Sequence, residues 1–120
     1  MITRALGLVT LLTILQLAQG IAFNLKIVEG ELYTLGHVGL GFLTFLILLG
    51  VVYSARKSGH ASANDASFTL ALYILQGVFG LVIFAEGHEA AAARAIHLFL
   101  SFFVVAASAA SLSLSAVRRG

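Results

Sequence analysis

The chain has 120 residues, 60% of them hydrophobic and 10% charged, a net charge of +2 and a mean hydropathy of +1.04, a composition that excludes an ordinary water-soluble domain and offers no nucleic-acid surface. It has no cysteine, which excludes disulfides, iron–sulfur clusters and thioether-linked prosthetic groups. It has no proline either, so the usual signal for the interrupted helices of transporters is missing.

About 20 apolar residues suffice to cross roughly 30 Å of hydrocarbon, and four stretches reach that length: about Ala5–Phe23, Leu32–Tyr53, Phe68–Ala85 and Ala95–Val117. The first follows Arg4 and contains Gln16 and Gly20. Its Ala18-Gln19-Gly20 looks like a leader cleavage region, but the segment has a counterpart later in the chain and is expected to remain as a helix. A loop with Lys26, Glu29 and Glu31 leads into the second span, which carries His37 and, one helical turn on, Gly41. Arg56, Lys57 and a small polar loop with His60 precede the third span, which holds Gln76 and Gly80. The loop Glu86-Gly87-His88-Glu89 is short and solvated, a weak divalent-cation candidate. Arg94 then precedes the fourth span, with His97 and, one turn on, Ser101.

The fold predicted is all-α: an integral membrane four-helix bundle forming one domain over residues 1–120. Arg4, Arg56, Lys57, Arg118 and Arg119 flank the spans on one side, and only Lys26 and Arg94 on the other. The chain should therefore be multi-pass in the inner (plasma) membrane with both termini cytoplasmic and the acidic loops outside.

The two hairpins read as repeats, about 5–58 and 65–118. A shift of sixty residues, without a gap, superimposes Ile14-Leu15-Gln16 on Ile74-Leu75-Gln76, Gly20 on Gly80, Glu29 on Glu89 and His37 on His97. Packed about a pseudo-two-fold axis along the membrane normal, such hairpins set His37 and His97 facing each other at one depth.

An intramembrane histidine is costly without a partner and is a functional candidate by default. A facing pair suits six-coordinate haem iron, which takes one imidazole on each side. Haem b, or a related haem, is thus the expected cofactor, with His37 and His97 as metal ligands. Gly41, Ser101, Gly20 and Gly80 would leave room for the macrocycle, and Phe42, Phe45, Phe79, Phe99 and Phe102 would line it. Arg94, with Lys26 second, would face the propionates. Each feature has a plainer alternative: histidines bonded to backbone carbonyls, glycines for helix packing, Arg94 paired with Glu89. Gln16 and Gln76 either orient a ligand histidine or a quinone, or, as expected here, tie helices together.

The segments ILQLAQG with GHVGLGF, and ILQGVFG with AIHLFLSFF, resemble the repeating hairpin of the haem A synthase family, covering almost the whole chain as one four-helix half of its usual eight-helix protein. The resemblance implies a haem held by histidines on the second and fourth helices, His37 and His97. It departs at Thr34 and Val38, where the family's first hairpin has a glutamate and an arginine, and in lacking outer-loop cysteines.

Two functions follow as expectations. The first is a small b-type cytochrome, moving electrons as a subunit of a redox complex or as a partner of a quinone pool. The second is a half-sized haem A synthase-like enzyme that oxidises a haem side chain, with a homodimer, the simplest homo-oligomer, recreating the missing half. Small multidrug exporters need an intramembrane carboxylate, and the spans contain none. A pigment-binding subunit, with each histidine on a chlorophyll magnesium, is a further alternative.

Overall fold

The computed structural model describes residues 1–87 and 90–117, which form four helices: α1 (Ile2–Asn24), α2 (Glu31–Lys57), α3 (Ala63–Glu86) and α4 (Ala91–Val117). No strand occurs among the described residues. His88, Glu89, Arg118 and Arg119, used in the loop, repeat and orientation arguments, lie outside them. The helices contain 23 to 27 residues, and at about 1.5 Å per residue each is longer than the hydrocarbon it must cross. All four have the length and hydropathy of membrane spans, and the protein is an all-α, four-helix membrane bundle 47 Å long and 21 Å wide.

The helices begin earlier than hydropathy indicates: α3 starts at Ala63 rather than Phe68, and α4 at Ala91 rather than Ala95. Hydropathy marks what suits lipid, whereas the alanine-rich turns around Asn64 and Asp65, and before Arg94, prolong the helix into the interface. Glycine sets two of the boundaries. Gly30 opens α2 at φ 117° and Gly87 ends α3 at φ 65°, both backbone conformations that disfavour a side chain. Between α2 and α3, Arg56 donates two hydrogen bonds to Ser67 Oγ, at 3.1 and 2.9 Å. His60 also has a local role: its Nδ1 lies 2.8 Å from the hydroxyl of Ser62, the residue before α3.

Short loops make successive helices antiparallel neighbours. Spatial order follows chain order, with α1 beside α2, α2 beside α3, α3 beside α4, and α4 back beside α1. Consequently α2 and α4 lie diagonally opposite, with His37 and His97 near the same end of the bundle.

The buried positions repeat the sixty-residue offset. On α1 they include Leu6, Val9, Thr13 and Gln16, and on α3 they are Ala66, Thr69, Tyr73 and Gln76. On α2 they include Thr44, Leu48, Val51 and Ala55, matched on α4 by Val104, Ser108, Ser111 and Ser115. This core is apolar on α2 apart from Thr44 and hydroxyl-rich on α4. Serines of α4 meet threonines of its neighbours: Thr3 with Ser115, Thr13 with Ser108 at 3.2 Å, and Thr69 with Ser111 at 3.1 Å. Small side chains let backbones approach, and paired hydroxyls avoid the penalty of an unsatisfied polar group in lipid.

Within the helices, burial is confined to the half of the bundle that holds the chain ends, Ala90 just before α4 being buried at the other end. No residue of α1 beyond Gln16, of α2 before Thr44, of α3 beyond Gln76 or of α4 before Ser101 is fully buried. The histidines stand in this less tightly packed half.

Candidate functional site

His37 on α2 and His97 on α4 approach across the bundle diagonal until their ring centres are 6.3 Å apart, with planes inclined at 74°. Both rings are partly buried. His97 Nδ1 lies 2.8 Å from the backbone carbonyl of Gln76 on α3, and His37 Nδ1 lies 3.3 Å from Gln19 Oε1 on α1. A carbonyl oxygen only accepts, so in each ring Nδ1 donates its proton and Nε2 carries the lone pair. This is the tautomer that coordinates a metal through Nε2, with the second nitrogen oriented by a carbonyl.

The spacing suits a shared metal. An imidazole–metal bond is about 2 Å long and the ring centre lies about 1 Å behind the ligating nitrogen, so two imidazoles on opposite sides of one metal have centres about 6 Å apart. Among the described residues, no group of three or more histidine, cysteine, aspartate or glutamate side chains comes together. The described residues therefore do not by themselves provide the three or more such donors that commonly hold a bare metal ion. Two imidazoles at this spacing could share a metal only if its remaining ligands came from elsewhere, as the four nitrogens of a porphyrin would.

The predicted small residues have separate jobs. Gly80 lets α3 seat the His97 ring, because a Cβ there would lie 3.0 Å from His97 Cε1 and 3.4 Å from Nδ1. Gly20, at the equivalent place on α1, has nothing within 4 Å of a Cβ built on it. Gly41 accommodates a helix tie, since its Cβ would lie 2.9 Å from Gln16 Nε2 and 3.8 Å from the Tyr73 hydroxyl. Ser101 is buried, donates to the His97 carbonyl at 2.8 Å and accepts from Gln76 Nε2 at 2.6 Å. Arg94 is half-buried one turn before His97, and Lys26 is exposed in the α1–α2 loop.

Gln16 and Gln76 do tie helices: Tyr73 Oη donates to Gln16 Oε1 and, at 2.9 Å, to the Gly41 carbonyl. It is the backbone of Gln76, not its amide, that orients a histidine.

The aromatic lining differs from expectation. Phe42, Phe99 and Phe102 are each more than half exposed, on the outside of the bundle, while Phe45 packs against the core. The aromatic ring nearest His37 is instead Phe23, 5.9 Å away edge-on and itself 4.8 Å from Tyr33. Phe23, Tyr33, Gln19 and Tyr73 were not singled out from the sequence. Gln19 carried a signal, being one turn from Gln16 on α1, but its repeat mate is Phe79 and the symmetry argument passed over it.

No family model, no curated protein and no solved structure matches this chain.

Proposed function

We propose that the protein is a small b-type cytochrome that holds one haem between His37 and His97 and passes electrons within a membrane redox complex or to a quinone pool. The observation that supports this most is the 6.3 Å separation of two imidazole rings whose Nδ1 atoms are both bonded to carbonyl oxygens. The surrounding half of the bundle has no fully buried helical residue, and Gly80 makes room for His97. A haem so held would accept and release one electron. With one imidazole from α2 and one from α4, the chain would hold and orient the group with its own residues, which favours electron transfer over activation of a substrate. The haem would lie toward the outer face of the plasma membrane, with both chain ends on the cytoplasmic side.

The haem A synthase-like reading rests on the sequence resemblance and lacks two side chains for it. Thr34, in the place of the family's glutamate, bonds the Gly30 carbonyl at 3.1 Å, and Val38, in the place of its arginine, is exposed. A formyl-bearing porphyrin in the purified protein would favour that reading instead.

The visible spectrum of the detergent-purified protein tests the proposal. A low-spin six-coordinate haem is expected, and His37→Ala and His97→Ala should each abolish that signature, while His60→Ala leaves it intact. Correctly inserted protein without haem would overturn the reading.

A further inference from the structure

The two histidines occupy equivalent places in the repeat, yet their surroundings differ in three respects. His97 is fixed by a main-chain carbonyl at 2.8 Å, which cannot rotate away without disturbing α3. His37 is held by the end of the Gln19 side chain at 3.3 Å, a longer contact to a group with several rotatable bonds. Gly80 presses against the His97 ring, with its Cβ position 3.0 Å from Cε1, whereas the Cβ position of Gly20 has open space around it.

The third difference is access. A groove of about 430 Å³ lies between α1 and α2 on the His37 side, lined by Gln19, Gly30, Glu31, Tyr33 and Gly36 among others. Two of its lining residues adjoin His37: Gln19, its hydrogen-bond partner, and Gly36, the residue before it in the chain.

We propose that His97 is the fixed member of the pair and His37 the exchangeable one, so that the groove side of the site admits a small neutral ligand of the carbon monoxide class in place of His37. This rests on the haem reading above and adds a direction to it. Gln19 is the positioning residue: while its oxygen holds Nδ1, His37 keeps its place, and when the amide turns into the groove the imidazole is free to swing out. No electron or proton changes hands in this exchange. One neutral donor leaves and another takes its position, and the Nδ1 proton stays on His37.

Carbon monoxide binding to the reduced, haem-loaded protein in detergent tests this. Gln19→Ala should bind carbon monoxide about tenfold faster than the unmodified chain, taking the low end of the roughly 10–100-fold loss of metal affinity that follows when a ligand histidine loses its orienting partner. Gln19→Glu, which keeps an acceptor oxygen, should stay close to the unmodified rate. His37→Ala should retain haem in a high-spin form that added imidazole returns to low-spin, whereas His97→Ala should lose most of its haem and not be rescued. Equal haem loss in the two histidine variants, retention in His97→Ala alone, or an unchanged rate in Gln19→Ala overturns the inequality and leaves the haem reading standing. A chain that inserts correctly but never carries haem overturns both.

Discussion

The two halves of the bundle are built on different rules. Near the chain ends, Leu6, Leu48, Ala55, Ala66 and Ser108 have no exposed surface, and threonine–serine pairs join α4 to α1 and α3. Around His37 and His97 no helical residue is fully buried, and the contacts are rings, amides and carbonyls. In lipid, helices gain nothing by hiding apolar surface from water, so association rests on close packing and hydrogen bonds. The closed half supplies that packing, leaving the other half free to be shaped by its site.

The largest effect should come from opening the closed half. Leu48→Ala removes a completely buried side chain and is expected to cost about 2–4 kcal/mol of bundle stability through the cavity it leaves. Reversible unfolding in mixed detergent would measure this. A loss below about 1 kcal/mol would mean that this half is not the structural base.

A sharper comparison sets equivalent positions of the histidine half against each other. Gly80→Ala forces a methyl to 3.0 Å from the His97 ring, an overpacking worth about 1–3 kcal/mol, and should reduce haem content several-fold under the proposed function. Gly20→Ala meets nothing within 4 Å and should leave haem content unchanged. Equal haem content in the two purified variants would erase the distinction between the two sides. The smallest effect concerns the polar ties. Thr13→Val deletes the bond to Ser108 and should cost about 0.6 kcal/mol, the average for such pairs in membranes, in the same unfolding assay.

Four spans and the diagonal placement of the histidines were readable in the sequence, because length, hydropathy and the register of uncommon residues are one-dimensional properties. Which way an aromatic residue faces was not. Phe42, Phe99 and Phe102 look like pocket residues, yet they lie on the outer surface. In a lipid solvent an apolar side chain is as well placed outside as inside, so only small and polar residues mark the interior. Departures from the repeat were hidden for another reason. Matching assigns equal roles to equivalent positions, whereas Tyr73 reaches Gln16 and Gly41 from a place whose mate is Thr13, and Gln19 holds His37 from a place whose mate is Phe79.

The contact of α4 with α1 has a consequence for assembly. Every other neighbouring pair is joined by a short loop and can zip together as the chain is inserted, but α1 and α4 meet only after both hairpins are in place. The closing of the ring therefore falls to the one interface whose partners are distant in the chain, where loop-closure entropy is greatest. Thr3 with Ser115 and Thr13 with Ser108 both lie on that interface. Because an oily surface would match any other equally well, these hydroxyls give the last helix a specific place to stop, fixing its depth and rotation, and with them the level at which His97 comes to rest opposite His37.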